Sequence, residues 1–342
     1  MKEKLLGKTP EELSAVAVAL GLPAFAGKQL ARWMYVRRAR SFAEMTDISK
    51  AGREKLEESC ELGLREPAGS VRSSDGTRKY LFPVGTQGAA VEAVVIPDEE
   101  RRTLCVSSQA GCKMGCKFCM TGRQGFHGNL DAAEILSQFI AVDEAAELSN
   151  AVFMGMGEPL DNVDAVFRAI RVLTADWGFG WSPKRITLST VGVLPGLRRF
   201  LDETACHLAV SLHNPFPEER EALMPVQKAF PLADVLALVR RYDFTGQRRV
   251  SFEYTMFAGV NDTKRHEDGL IRLLRGLECR VNLIRFHKIP DSPFTSGSDA
   301  LVEQFQKRLE AAGINALVRA SRGEDIMAAC GLLAGKNSNR LQ

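Results

Sequence analysis

Gly111-Cys112-Lys113-Met114-Gly115-Cys116-Lys117-Phe118-Cys119-Met120-Thr121-Gly122 sets three of the chain's eight cysteines within eight residues, spaced C-x3-C-x2-C. Thiolates are soft ligands that suit iron–sulfur clusters, zinc or copper(I). Crowding three of them raises charge repulsion that a metal removes, so the run reads as a metal loop. The glycines fit this, because a chain wrapped round a cluster needs positive-φ turns and close backbone approach. The count matters most. A structural zinc site closes with four protein ligands, and an ordinary electron-transfer cluster takes four cysteines. Cys112, Cys116 and Cys119 on a four-iron cluster leave one iron open to bind a further molecule. The alternative is a zinc loop completed by a distant Cys or His.

Outward from this loop, the hydrophobic period sets the fold. Upstream, residues 77–83, 90–97 and 102–108 alternate with period two and predict three successive strands, the last running into the cysteine loop. Downstream, strands and helices alternate. Strands are expected at 150–155, 185–190, 206–212, 249–256 and 280–286. Helices are expected at 131–148, 160–173, 195–201, 232–242, 263–276 and 299–312. With the strand that feeds the loop, this makes six β-α units. Such units build a parallel sheet with crossover helices, and six are too few for a closed eight-fold barrel, so the expected fold is α/β, a partial (β/α)6 barrel. Chemistry in such folds gathers at the carboxyl ends of the strands. The polar and glycine-rich segments fall there: the cysteine loop, Gly155 to Pro159, Ser189 to Gly192, Ser211 to His213, and Arg285 to His287.

Ahead of the barrel, residues 1–75 predict a small helical unit, opened by Thr9-Pro10-Glu11-Glu12 as a helix start. Residues 76–101 form a β extension, 102–335 the barrel, and 336–342 a disordered tail. The run Arg32 to Arg40 mixes arginines with Trp33 and Tyr35. It suits RNA, through phosphate pairing and base stacking, and equally an amphipathic helix with Trp33 in the core.

Composition sets broad limits. Hydrophobic residues make up 45% of 342, and the net charge of +3 neither demands nor excludes a nucleic-acid partner. No apolar run is long enough to span a bilayer, and the first residues lack the pattern of a signal peptide. Cysteines in such a chain belong to a reducing compartment, as ligands, catalysts or core residues. A cytoplasmic location is expected.

Two glycines in Gly155-Met156-Gly157-Glu158-Pro159 allow a ligand close to the backbone, and Glu158 can accept from a cationic amine; a plain strand-to-helix turn is the alternative. Ser189, Ser211 and His213 end apolar strands and would suit a carboxylate or a ribose. Cys105 and Cys330, read alone, are small core residues. Cys60, Cys206 and Cys279 carry no chemical signal.

Several segments together resemble the RlmN/Cfr family of radical S-adenosylmethionine RNA methyltransferases. They are residues 105–122 around the three cysteines, Met154 to Leu160, Leu188 to Val193, Ser211-Leu212-His213 and Arg322 to Gly335. The resemblance spans nearly the whole chain and is nearest the RlmN branch, which methylates carbon 2 of an adenine in 23S ribosomal RNA and in some transfer RNAs. It implies that Cys112, Cys116 and Cys119 hold a [4Fe-4S] cluster whose open iron binds S-adenosylmethionine. It implies that Cys330 is methylated by a first S-adenosylmethionine, that a second supplies the radical, and that Cys105 forms a transient disulfide with Cys330. Glu92, which alone would read as an exposed strand residue, matches the family's proton acceptor. Gly157, Glu158, Ser189, Ser211, Leu212 and His213 match its cofactor contacts. His287 stands in a segment where many members carry an asparagine, and it keeps the capacity to donate and accept.

The chemistry fits carbon 2 of adenine, an electron-poor carbon that does not attack a methylsulfonium, whereas a thiolate does. Radical chemistry then carries the methyl carbon from Cys330 to the base through a protein–RNA adduct. The implied partners are the two RNAs, with the target adenine in a loop or flipped from the stack, and an electron donor such as flavodoxin or ferredoxin, the enzyme acting as a monomer. Methylation of carbon 8, the Cfr activity, shares these residues. A zinc-stabilised RNA-binding module without catalysis is the alternative from another class.

Overall fold

One ten-stranded sheet carries the chain from edge to edge in sequence order. In the computed structural model, which describes residues 2–85, 88–246 and 248–334, its strands are β1 (Gly69–Arg72), β2 (Arg78–Val84), β3 (Ala89–Asp98), β4 (Arg101–Cys105), β5 (Asn150–Phe153), β6 (Ile186–Thr190), β7 (His207–Ser211), β8 (Val250–Met256), β9 (Arg280–Arg285) and β10 (Asn315–Val318). Strands β4 to β10 are parallel, and β1 to β4 pair antiparallel. The partial barrel is therefore as expected, with a seventh parallel strand, β10, after the sixth unit. The antiparallel extension also gains β1, which lies in the stretch read as part of the helical unit.

The parallel strands are continuous apolar runs because both faces are covered: six of the seven residues of β8 are buried. Crossover helices follow the strands β4 to β9, among them Ala132–Ile140, Val163–Thr174, Leu194–Glu203, Leu232–Val239, Lys264–Leu274 and Asp299–Ala311. The first of these starts on a capping box: Asp131 accepts from Glu134 N–H at 2.8 Å, and Glu134 accepts from Asp131 N–H at 3.0 Å. All nine of its residues are buried.

The helical unit comprises Pro10–Ala19, Ala26–Ala31 continued as a wider π-turn at Arg32–Val36, and Lys50–Ser59. Lys4 pairs with Asp131 at 2.6 Å and Arg168 with Glu12 at 2.7 Å, tying the unit to the barrel's helices. Leu30, Met34 and Tyr35 supply its core side. Trp33 is only half-buried. Its Nε1–H donates to Asp47 at 2.5 Å, and the Arg37 guanidinium lies 4.1 Å above its ring. Arg32, Val36 and Arg37 are exposed. The tail, residues 336–342, lies outside the described residues.

Candidate active site

The carboxyl ends of the parallel strands place the site. β4 ends on Cys105, and the chain then runs through Ser107, Ser108 and Gln109 into the cysteine loop. Gly111 has φ of +73°, and a Cβ there would lie 1.9 Å from the Gly125 carbonyl oxygen, so only glycine fits the turn that opens the loop. Cys112 N–H donates to Gly125 O at 2.9 Å, and Lys117 N–H to Leu223 O at 3.0 Å. Burial raises the pKa of all three thiols, Cys112 to about 12. Their mutual repulsion adds to this: Cys119 acts on both Cys112 and Cys116.

This donor set fits an iron–sulfur cluster. Three thiols that burial and mutual repulsion hold neutral become favourable as thiolates when iron neutralises them. Among the described residues no three His, Cys, Asp or Glu side chains converge as ligands of one ion. A cluster asks something different of its cysteines, since each thiolate takes a separate iron.

The turn after β5 lies against this loop. Gly157 has φ of +96°, and a Cβ would come within 2.5 Å of the Gln109 side chain. Gln109 binds the turn from behind: its Oε1 accepts from Glu158 N–H at 2.8 Å, and its Nε2 donates to Asp161 at 2.7 Å. Glu158 is buried and spans to the end of β6. Its Oε1 accepts from Thr190 Oγ1 at 2.6 Å and Leu160 N–H at 3.1 Å, its Oε2 from Val191 N–H at 3.0 Å. Burial lifts its pKa to about 7 against these bonds. The carboxylate thus ties two strand ends together.

His213, just past β7, is buried and has φ of +54°. Its Nδ1 accepts from Thr255 N–H at 3.0 Å, so the ring proton sits on Nε2. Burial, with Arg220 nearby, depresses its pKa to about 3, and the imidazole is neutral at physiological pH. Phe118, between Cys116 and Cys119, meets this ring edge-on at 4.9 Å. Ser189 and Ser211 are half-buried at the ends of β6 and β7. Leu212 is fully buried, its N–H donating to Glu253 O at 3.0 Å.

A closing segment after β10 crosses back over these strand ends. Arg319 N–H donates to Leu283 O at 2.8 Å. His287 holds this stretch, its Nε2 3.1 Å from Ser321 Oγ and its Nδ1 3.4 Å from Glu324. A reciprocal clasp then fixes it to the β1–β2 turn: Ser73 Oγ–H donates to Asp325 at 2.6 Å, and Gly323 N–H to Asp75 at 2.9 Å. Beyond Cys330, Met120 N–H donates to Gly331 O at 2.8 Å, Thr121 Oγ1–H to Leu333 O at 2.7 Å, and Ala334 N–H to Glu92 Oε2 at 2.7 Å. Cys330 therefore hangs between two anchors. It is open to water yet ringed by protein, and that surrounding raises its thiol pKa, helped by Glu253 and by Cys119. It acts in turn on Cys105, whose buried thiol is pushed far up, chiefly by burial.

Register explains Glu92. Directly opposed residues of an antiparallel pair share a face, and the period is two. Val94 lies opposite Cys105 and Lys79 opposite Val94, so Glu92, Lys79 and Cys105 share one face. Glu92 is buried, 2.9 Å from Lys79 Nζ. Sequence reasoning missed Gln109, Thr190, Lys79 and Arg220 among the residues that build the site. A cleft of about 1020 Å³ lies elsewhere, between the helical unit and the barrel, lined by Lys4, Lys8, Arg168 and Glu203.

Residues 106–268 match the radical SAM superfamily, and residues 3–62 match the ribosomal RNA large subunit methyltransferase N-terminal domain. The probable dual-specificity RNA methyltransferase RlmN of Porphyromonas gingivalis strain W83 is 62% identical over 331 residues, 96% of each chain. That of Parabacteroides distasonis is 55% identical over 333 residues, 97% of each chain. A crystal structure of a radical SAM methyltransferase from Sphaerobacter thermophilus superposes with a TM-score of 0.92 at 39% identity, over 98% of this chain and 100% of that one.

Proposed function

The chain belongs to the RlmN family of radical SAM RNA methyltransferases, and we propose that it methylates carbon 2 of adenine in 23S ribosomal RNA and in some transfer RNAs. An iron–sulfur cluster and S-adenosylmethionine are the cofactors of this superfamily, and RNA is the substrate. The observation that carries the reading is the anchoring of the segment that bears Cys330: Gly331 O accepts from Met120 N–H beside Cys119 at 2.8 Å, and Ala334 N–H donates to Glu92 at 2.7 Å, on the sheet face that Glu92 shares with Cys105.

Cys112, Cys116 and Cys119 hold a [4Fe-4S] cluster. The backbone of Gly157 and Glu158, the Nε2–H of His213, Ser189, Ser211 and Leu212 orient S-adenosylmethionine. His287 joins them through the closing segment that it holds. When bound, these groups supply a methyl for a thiol and a radical able to take hydrogen from a methyl carbon, so two S-adenosylmethionines serve each turnover. Cys330 takes the methyl. After hydrogen removal, the carbon on its sulfur bonds to carbon 2 of the base, and the unpaired electron left on the adduct would return to the oxidised cluster that the three cysteines would hold. Glu92 accepts the proton from carbon 2. Cys105, as its thiolate, attacks the Cys330 sulfur and forms a disulfide; the sulfur–carbon bond breaks, and the carbon that leaves on the base takes up one proton to become the methyl group. A dithiol reductant returns the disulfide to two thiols by exchange before the next round.

Exposed Arg32, Arg37 and Val36, with Arg37 over Trp33, give the helical unit a surface suited to phosphate and base contacts. An electron donor of the flavodoxin or ferredoxin class reduces the cluster, and the enzyme works as a cytoplasmic monomer. No helix among the described residues is long and apolar enough to cross a membrane. Anaerobic turnover with ribosomal RNA fragments and transfer RNA, followed by nucleoside mass spectrometry, tests the reading. 2-Methyladenosine is expected; 8-methyladenosine in its place overturns the regiochemistry.

A further inference from the structure

Arg220 lies in the helix Pro217–Leu223 that follows β7, and its side chain is wholly removed from solvent. Burying a guanidinium is costly unless it is paired. Yet no carboxylate pairs with Arg220 among the described residues. Its donors go to neutral oxygens: Nε to Leu212 O at 3.1 Å, Nη2 to Val191 O at 3.1 Å and Ser211 O at 2.9 Å, Nη1 to Gln227 Oε1 at 2.5 Å. Three of these are backbone carbonyls at the ends of β6 and β7, next to Ser189, Ser211 and His213. The same helix accepts Lys117 N–H on Leu223 O at 3.0 Å, which seats it against the cysteine loop between Cys116 and Cys119. The charge is felt by two neighbours: it favours the Cys116 thiolate and disfavours a protonated His213 ring.

A hydrogen-bonded staple alone does not need a charge. A positive charge left without a carboxylate, beside a ligand thiolate, does electrostatic work on whatever that thiolate binds. We propose that Arg220 is a positioning residue that joins the ends of β6 and β7 and whose fixed, unneutralised charge behind Cys116 favours the one-electron-reduced state of the cluster. This rests on the reading that Cys112, Cys116 and Cys119 hold a redox-active cluster. A nearby cation stabilises the more negative, reduced form, so its removal lowers the midpoint potential.

The test uses the full chain reconstituted anaerobically as wild type, Arg220→Met, Arg220→Lys and Gln227→Glu. Iron and sulfide content is measured first, then the midpoint potential by reductive titration followed by electron paramagnetic resonance. Gln227→Glu is the cleaner variant. It keeps the side-chain shape and an oxygen able to accept from Arg220 and from Leu232 N–H, which now bond Gln227 at 2.5 and 3.1 Å, but it neutralises the guanidinium. At the potential that half-reduces the wild-type cluster, Arg220→Met and Gln227→Glu are expected to lose about tenfold in the reduced-to-oxidised ratio, ~59 mV for one electron. Arg220→Lys, which keeps the charge, is expected within about threefold of wild type. Loaded Gln227→Glu protein with an unchanged midpoint overturns the proposal, and it decides the matter if Arg220→Met does not load. A shift in Arg220→Lys as large as in Arg220→Met also overturns it, leaving a staple. Wild-type protein that takes up no reducible cluster overturns instead the reading on which the proposal rests.

Discussion

Glu158→Gln separates the structural part of the turn after β5 from its charge. In the cofactor-free protein, Glu158 accepts three hydrogen bonds in a buried setting that raises its pKa from 4.5 to about 7. A folded-state pKa above the unfolded value means that the fold favours the neutral carboxyl. The resulting stability is present in full below the unfolded value and is lost as pH rises through about 7. At 1.36 kcal/mol per unit, the loss is about 3 kcal/mol. Glutamine does not titrate, but its amide nitrogen cannot accept from Val191 N–H, and a buried donor left unpaired costs ~1–3 kcal/mol at every pH. Wild type is therefore expected to be more stable than Glu158→Gln at pH 5, with the gap closing or reversing by pH 8. At ~1–2 °C per kcal/mol for a chain of 342 residues, the difference in melting temperature should move by roughly 3–5 °C across that range. The assay is thermal denaturation of both cluster-free proteins at matched pH, so that all other titrating groups cancel. A difference in melting temperature that does not change with pH refutes the burial argument.

Other perturbations have defined outcomes. Gly157→Ala must adopt φ of +96° and place a Cβ 2.5 Å from Gln109, a combined cost of ~2–5 kcal/mol; calorimetry should show S-adenosylmethionine affinity reduced at least tenfold. Gly323→Ala strains φ of +63° and crowds Thr77 and Ala328 at 2.9 Å, so the closing segment should become protease-sensitive near Cys330 while the melting of the barrel changes little. On the proposed mechanism Cys105→Ala leaves the adduct unresolved, and gel electrophoresis after turnover should show protein covalently joined to RNA. Lys79→Met takes away the ion pair to Glu92 and should slow turnover at saturating RNA more than it weakens RNA binding, as separated by kcat and KM.

The barrel was legible because its signal is repeated: each strand from β5 to β9 carries an apolar run flanked by a helix of period 3.6. β10 escaped because Asn315–Val318 is four residues with two of them exposed, the pattern of an edge strand. β1 escaped for the same reason, Gly69-Ser70-Val71-Arg72 having a single apolar branched side chain. The cysteine loop declared itself through spacing, a local property. Glu92 did not, since an acidic residue in a strand reads as solvent-facing until the register brings Lys79 beside it. Arg220 sits in Pro217-Glu218-Glu219-Arg220-Glu221, a run that looks like a solvated helix face; only the tertiary fold turns that one position inward. Cys330, next to Ala328 and Ala329, looks like a core residue, and its exposure depends on anchors at Thr121 and Glu92 more than 200 positions away. Local period encodes elements; long-range pairing makes the site.

The claim at the centre is that the methyl carbon reaches adenine by way of Cys330. The measurement that tests it most directly is anaerobic turnover with S-adenosylmethionine bearing a trideuterated methyl group, with mass spectrometry of the product nucleoside. Loss of one hydrogen from the methyl on Cys330, and gain of one proton on release, leaves two deuterium atoms in 2-methyladenosine. Three deuterium atoms in the product, or full activity in Cys330→Ala protein, would mean direct transfer and would contradict the account.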